Sequence, residues 1–463
     1  MGKYVTRAWP PGSSHEYAAY VPHPLAGWEP DLSRLALDRI AAAEADIAET
    51  VAAATANRSY QWAADSIMAQ GESLSSSAIE GIYASLEGMS LADSGDGRDT
   101  ANKAALGNWE MLEQALEFAE SGELLTVGGL CGMHDTLMAR TGSPQLGGKL
   151  RSGPIWIGEP ALAGMGPIGA QFVPPPEEAV RPLLDDLLDY LNYSDHSPVL
   201  RAAVAHAQFE TIHPFADGNG RTGRALFPIA LFGSGGSAIH LPISRSILAD
   251  RSGYYASLQQ THYEGPPHDR QRDAAIEPWI GMFSDCAQRA AAQVRAVAAR
   301  VETMMGDWLE RLGGARPDSA VWKIASELAY QPVFTADTLH TELDGSASIA
   351  AIRRGIDSLA KAGIVQEIGH SGRTRVWRAA EIIEVAESVL ATNEITAAAA
   401  QTHQGFNLVE VKPAAASSTA ARKRAGAGAG SRPAAVWQCA KKSSRSKRLC
   451  VRPANHEGRH RYR

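Results

Sequence analysis

The stretch TIHPFADGNGRTGR, Thr211 to Arg224, constrains this chain more than any other. Upstream, Ser197 stands at an N-cap position and Pro198 suits the first helical residue. Leu200, Val204 and Ala207 then line one helical face, and Ile212 continues that apolar side. Downstream, Arg221, Arg224 and the apolar run ALFPIALF fit a second helix starting near Gly220. Pro228 falls inside it and removes one bond to the Arg224 carbonyl, so a kink is expected there. The stretch predicts helix, glycine-rich turn, helix, with the turn at a helix N-terminus.

That geometry suits an anion. Free main-chain N–H groups and the positive end of the helix dipole point at the turn. Gly218 and Gly220 allow a phosphate close to the backbone, and Asn219 adds a side-chain amide. Arg221 and Arg224 lie near one helical turn apart, and guanidinium forks match phosphate oxygens. Asp217 is the one acid among these donors and a natural Mg²⁺ ligand against phosphate. His213 titrates near neutrality and can take a proton from a hydroxyl. Together these residues point to phosphoryl or nucleotidyl transfer.

HPFADGNGRTGR also resembles the Fic family motif, HPFx(D/E)GNGRxxR, at every defined position. The resemblance extends over roughly Ala18 to Tyr255. It implies a mostly helical fold and transfer of AMP from ATP to a hydroxyl of a target protein. His213 would deprotonate the incoming Ser, Thr or Tyr hydroxyl. Asp217 would hold Mg²⁺ against the α- and β-phosphates, and Gly218, Asn219 and Gly220 would form the anion hole. Arg221 and Arg224 would hold the outer phosphates, while Phe215 packs inward and shapes the loop. The related Doc branch, which phosphorylates, has Lys where this chain has Gly220, and that difference favours AMP transfer. Further on, RSGYYASLQQTH resembles the stretch beside the adenine, with Tyr254 and Tyr255 matching and His262 standing where an Asn is expected.

SSAIEGI, Ser76 to Ile82, places Ser76 and Glu80 one helical turn apart, with Gly81 permitting a helix end. Beside the Fic motif it matches the family's inhibitory pattern, (S/T)xxxE(G/N), in the subgroup whose inhibitory helix precedes the core. Glu80 paired with Arg224 would occupy the arginine meant for the γ-phosphate. Some relatives with this helix also remove AMP, so a bifunctional AMPylase/de-AMPylase is the alternative. A DNA-binding regulator whose Fic core senses nucleotide is the rival class.

Elsewhere, Leu32–Ala56, Ser59–Ser85 and Thr100–Ser121 read as helices, and Glu123–Gln288 is mostly helical. The exception is a Gly/Pro-rich stretch with extended runs at Pro154–Ile157 and Ala170–Val173, read as a β-hairpin flap. By position it matches the family's target flap, where a target segment would dock by strand addition. A long connecting helix follows, ending at GGARP. Ser319–Tyr330, Thr335–Leu343 and Ser348–Gly363 then read as three short helices and Ile364–Ala379 as a hairpin, which resembles a winged helix-turn-helix. Arg353 and Arg354 would face DNA phosphates, or the unit would contact protein.

Hydrophobic residues make up 44% and charged residues 21%, ordinary for a globular chain. No apolar run is long enough for a membrane. The N-terminus lacks an apolar secretory core, so a cytoplasmic location is expected. Cys131 and Cys286 read as buried small hydrophobes. The net charge of −7 is unevenly spread: from Lys412 onward 14 Lys+Arg face one acid, giving +13 there and −20 elsewhere. That basic tail suits nucleic acid. It holds Cys439, Cys450, His456 and His460 in the spacing C-x10-C-x5-H-x3-H, a candidate Zn²⁺ set.

The expected organisation is a mainly α Fic core with a small β flap and a C-terminal winged α+β unit. Residues 1–115 form an N-terminal helical region with the inhibitory helix at 73–85. The catalytic core spans 116–290 and the connecting helix and turn 291–316. The winged unit covers 317–385, an Ala-rich linker 386–435, and the Cys/His tail 436–463. A homodimer is left open.

Overall fold

The computed structural model describes residues 2–56, 64–93, 99–158, 166–233, 235, 237–316, 319–343, 346–371 and 374–390, with backbone alone for 438–442 and 449–453. The chain opens with an antiparallel hairpin, β1 (Gly2–Ala8) and β2 (Glu16–Pro22), in which Tyr4 lies opposite Tyr20. Sequence pattern does not announce this hairpin, because β1 is mostly exposed and carries no apolar alternation.

Helices follow: α1 (Arg34–Ala56), a π-helical turn (Ala64–Met68), α2 (Ala69–Ile79), α3 (Leu86–Asp93) and α4 (Thr100–Ser121). Next come α5 (Val127–Ala139), α6 (Glu177–Tyr193), α7 (Pro198–Ile212), α8 (Asn219–Phe232), α9 (Ile243–Ala249), α10 (Arg251–Gln260) and α11 (Arg270–Arg311). Local chemistry sets many of the bounds. Asp99 caps α4 by accepting from Ala101 N, and Gly122 ends it in the left-handed region at φ 67°. Thr126 caps α5 through Gly129 N. Ser197 precedes α7 as expected, but its side chain makes no cap bond; Pro198, with no N–H to satisfy, occupies the first helical position. In α6, Val180, Leu183, Leu184, Leu187, Leu188 and Leu191 are buried, one stripe at helical spacing.

The core gathers on α11. Trp279 and Trp308 are wholly buried along it, and the helix runs unbroken through the expected boundary at 290. Contacts with α1 rise together in sequence, Ser33 with Glu277, Asp46 and Thr50 with Arg295, so the two helices run parallel. Each large apolar side chain buried between them contributes about 1.5–3 kcal/mol.

Beyond α11 lie α12 (Ala320–Glu327), β3 (Val333–Thr335), α13 (Ala336–Glu342), α14 (Ile349–Lys361), β4 (Gln366–Ser371), β5 (Thr374–Arg378) and α15 (Ala380–Leu390). The three strands order as β3-β5-β4, antiparallel throughout. The three helices and the hairpin fall where expected, while β3 and α15 are additional. Strands β6 (Gln438–Lys442) and β7 (Leu449–Pro453) pair with Cys439 opposite Cys450. His456 and His460 lie outside the described residues. The chain is thus mostly helical with small sheets. Among the described residues no helix is long and apolar enough to cross a membrane.

The flap is less regular than expected. Its two runs meet at a single antiparallel bridge, Ile157 opposite Phe172, bonded in both directions. Residues 159–165, within the loop expected to carry target identity, lie outside the described residues. Tyr20 N donates to Val173 O at 2.9 Å, so β2 borders the other side of the second run.

Candidate functional site

The end of α7 and the start of α8 enclose the site. His213 caps α7 at φ 50°, ψ 64°, the only non-glycine with positive φ among the described residues. An L residue there is strained and persists only where its surroundings impose the conformation, as they do here. His213 N donates to Phe209 O at 2.9 Å. Arg151, 6% exposed, donates from Nε to His213 O at 2.8 Å and from Nη2 to Ile212 O at 3.2 Å, capping the last carbonyls of α7. Arg151 N also donates to Pro214 O. Burial lowers the Arg151 pKa to about 10, with Glu177, Tyr17 and Glu178 opposing.

The imidazole of His213 faces Glu210 O through Nδ1 at 3.2 Å. A carbonyl only accepts, so Nδ1 carries the proton and Nε2 is bare. Burial pushes this histidine down to about 4, so the ring is neutral at pH 7.

The loop between the helices is held from within. Asn219 Oδ1 accepts from Phe215 N, and Asn219 Nδ2 donates to Phe215 O, both at 2.8 Å. The Asn219 side chain is therefore committed to the loop and does not add the amide donor expected from sequence. Phe215 is wholly buried and stacks on His134, centroids 3.7 Å apart. His134 Nδ1 accepts from Gly148 N, and its Nε2 donates to Asp217 O at 2.9 Å. Gly218 stands at φ 77°, before the first helical bond from Thr222 N to Gly218 O. The amides of Asn219, Gly220 and Arg221 thus precede the hydrogen-bond ladder of α8. Asp217 Oδ1 lies 3.8 Å from Arg221 Nη2.

Arg224 is 1% exposed. Its Nε donates to Ser76 Oγ at 2.9 Å, and its Nη2 donates to Ser76 O and Glu80 Oε1, each at 2.8 Å. Nη1 is buried with no hydrogen-bond partner. Burial opposes the charge on both groups. The pair outweighs it, holding Glu80 below the usual carboxylate range and raising Arg224. A Cβ built on Gly220 would collide with Glu80 Oε1, so the carboxylate fills the space this glycine leaves open. Glu80 reaches it because α2 ends there. Gly81 turns at φ 76°, Gly81 N bonds Ala78 O, and Ile82 N bonds Ser77 O, a Schellman stop.

Three further acids and bases, unremarked in sequence, surround these groups. Glu210 has a carboxylate oxygen 3.8 Å from His213 Nδ1. Burial raises its pKa to about 8, with Arg224 opposing and Glu80 reinforcing. Glu72, one turn before Ser76, accepts from both N and Oγ of Ser244, and burial lifts it to about 7. His206 bonds the Tyr254 hydroxyl at 2.9 Å. Tyr254 is thereby a core residue at 1% exposure, whereas Tyr255 packs beside it with the Arg251 guanidinium over its ring. His262 stacks on Phe172 of the flap, centroids 4.1 Å apart. The structure thus brings His213, Phe215 and the 217–224 residues together with Ser76, Glu80 and Gly81. Among the described residues no His/Cys/Asp/Glu cluster forms a metal set.

Residues 124–231 match the model of the Fic/DOC family. Over 131 residues the chain is 34% identical to the protein adenylyltransferase fic-1 of Caenorhabditis briggsae, a match covering 27% of this chain and 22% of that protein. The Caenorhabditis elegans protein of the same name matches to the same extent. The chain therefore spans about a fifth of the length of these curated relatives. Among solved structures, a Fic family protein from Desulfovibrio desulfuricans G20 is similar at 20% identity and a TM-score of 0.44, covering 76% of this chain and 98% of that one. This chain carries a Fic domain.

Proposed function

We propose that the chain transfers AMP from ATP to a Ser, Thr or Tyr hydroxyl of a target protein, and that Glu80 restrains it. The observation that carries this reading is the position of Glu80 Oε1: on Arg224, over Gly220, at the N-terminus of α8. A carboxylate bound there stands where an anionic phosphate would. The residues fit a nucleotide triphosphate, because Arg224 Nη1 is a buried donor without a partner and the first α8 amides precede the ladder.

His213 Nε2 takes the proton of the target hydroxyl as its oxygen bonds the α-phosphorus. The bond from that phosphorus to the bridging oxygen breaks, and pyrophosphate leaves. Asp217 would hold Mg²⁺, which neutralises phosphate charge when bound. Arg221 and Arg224 clamp the outer phosphates. The flap at 154–174 would register the target strand, with β2 already bordering its second run.

We read 116–290 as the catalytic core and 317–385 as a winged helix. The element order α12-β3-α13-α14-β4-β5 and the exposed Arg353 and Arg354 on α14 support the latter. Cys439, Cys450, His456 and His460 of the 436–463 tail would hold zinc, which is checked by whether chelation changes the tail's proton spectrum.

The test is label transfer to protein from α-labelled ATP. Glu80→Gly should raise it roughly ten- to hundredfold, the scale of a hydrogen-bonded ion pair. An unchanged rate, or label arriving from γ-labelled ATP instead, rejects the reading.

A further inference from the structure

The inhibitory segment is gripped at both ends. At its C-terminal end Glu80 lies on Arg224. At its N-terminal end, Ser66 Oγ donates to Ala329 O at 2.5 Å, and Gln70 Nε2 donates to Tyr330 O at 3.1 Å. Ala329 and Tyr330 follow the Leu328 C-cap of α12, where carbonyls have left the helical ladder. Ser66 and Gln70 are 0% and 1% exposed, so neither donor has water as a substitute. Ser66 belongs to the π turn, a winding that bonds less well than α-helix and persists where its surroundings hold it. The same seam continues outward. Arg378 of β5 lies 3.4 Å from Glu87 of α3, and α15 packs on both α2 and α3.

We propose that residues 319–390 latch the Glu80 plug: they hold the start of the inhibitory helix, and their displacement frees Arg224. The catalytic half of this inference rests on the AMP-transfer reading; the mechanical half does not. When Ala329 and Tyr330 withdraw, the π turn loses the acceptors that stabilise it. Rewinding one residue as α-helix turns α2 by about 100°. That carries Ser76 and Glu80 off α8 together, since Ser76 lies in the last turn of α2 and Glu80 is its C-cap. Whatever moves this C-terminal unit then acts on the catalytic arginine without entering the nucleotide site.

The experiment uses the full chain and two readouts: amide hydrogen exchange across residues 76–82, and label transfer from α-labelled ATP. Ser66→Ala/Gln70→Ala should speed exchange there on the order of tenfold and raise transfer by the same order. In the Glu80→Gly background it should raise transfer no further. Circular dichroism checks folding. Should the buried double variant fail to fold, the half-buried pair Arg378 and Glu87 carries the test: Arg378→Glu should give roughly a two- to fivefold rise, reversed by adding Glu87→Arg. Unchanged exchange in both variants overturns the latch. So does an equal rise in transfer with and without Glu80, which would mean the contact acts on the core. Faster exchange with no transfer even from Glu80→Gly supports the latch and rejects AMP transfer.

Discussion

Two loops share a boundary at Arg151, and they are built oppositely. The motif loop, His213 to Gly220, is held by paired Asn219–Phe215 bonds, the His134–Phe215 stack and the arginine fork on its leading carbonyls. The flap, whose first run begins just after Arg151, has one bridge between its two runs. Chemistry needs atoms fixed within a fraction of an ångström. A docking strand needs an edge that a partner can complete. The difference teaches that, in one site, the groups proposed to react are held from several sides, while the run proposed to recognise a target is joined by a single bridge.

The comparison breaks most visibly at the base. In the Glu80→Gly protein, His213→Ala should lower label transfer by about 10²–10⁴, with ATP affinity unchanged by calorimetry. An equal loss of affinity would make His213 part of the binding cradle. Asn219→Ala should come next. It strands a buried N–H and a buried C=O of Phe215, costing about 2–4 kcal/mol, read by denaturant titration. If stability holds, the loop is not stiffened from within.

A pH profile sharpens the rigid side. A base works when unprotonated, and burial holds His213 at about 4, below its ordinary 6.5. The Glu80→Gly rate should therefore stay flat from pH 6.5 down to about 5 and fall only as pH passes through about 4. An acid limb centred near 6.5 would mean the ring is solvated at work. The smallest effect belongs to the flap. Ile157→Pro removes the donor to Phe172 O and should lower transfer to target protein severalfold while ATP affinity stays within about twofold. Lost ATP affinity would tie the flap to the rigid side.

Much of this was legible because the relevant residues are close in sequence. His213 to Arg224 and Ser76 to Gly81 are short runs whose spacing already dictates helix ends and faces. Groups that act from a distance left no such trace. Arg151 lies 62 residues from the carbonyl it caps, and His134 lies 83 from the one it bonds. The signal for His134 was its place among Leu130, Met133 and Leu137 on a buried face of α5, a pattern any core histidine shares. Strand β1 escaped because most of it is exposed, β3 because three residues show no period, and α15 because it falls where an Ala-rich linker begins. Asn219 illustrates the limit at short range. Its type suggested a donor to phosphate, but only coordinates reveal that both its polar atoms are engaged by Phe215.

One consequence follows from the space above Gly220. The group that fills it is part of the same polypeptide, so its local concentration is set by helix geometry and not by how many copies a cell makes. In the proposed enzyme, dilution would leave such a brake at full strength, and added nucleotide would have to outcompete a rival that never diffuses away. Changing the dose of such an enzyme would therefore scale its output without altering how tightly each molecule is restrained.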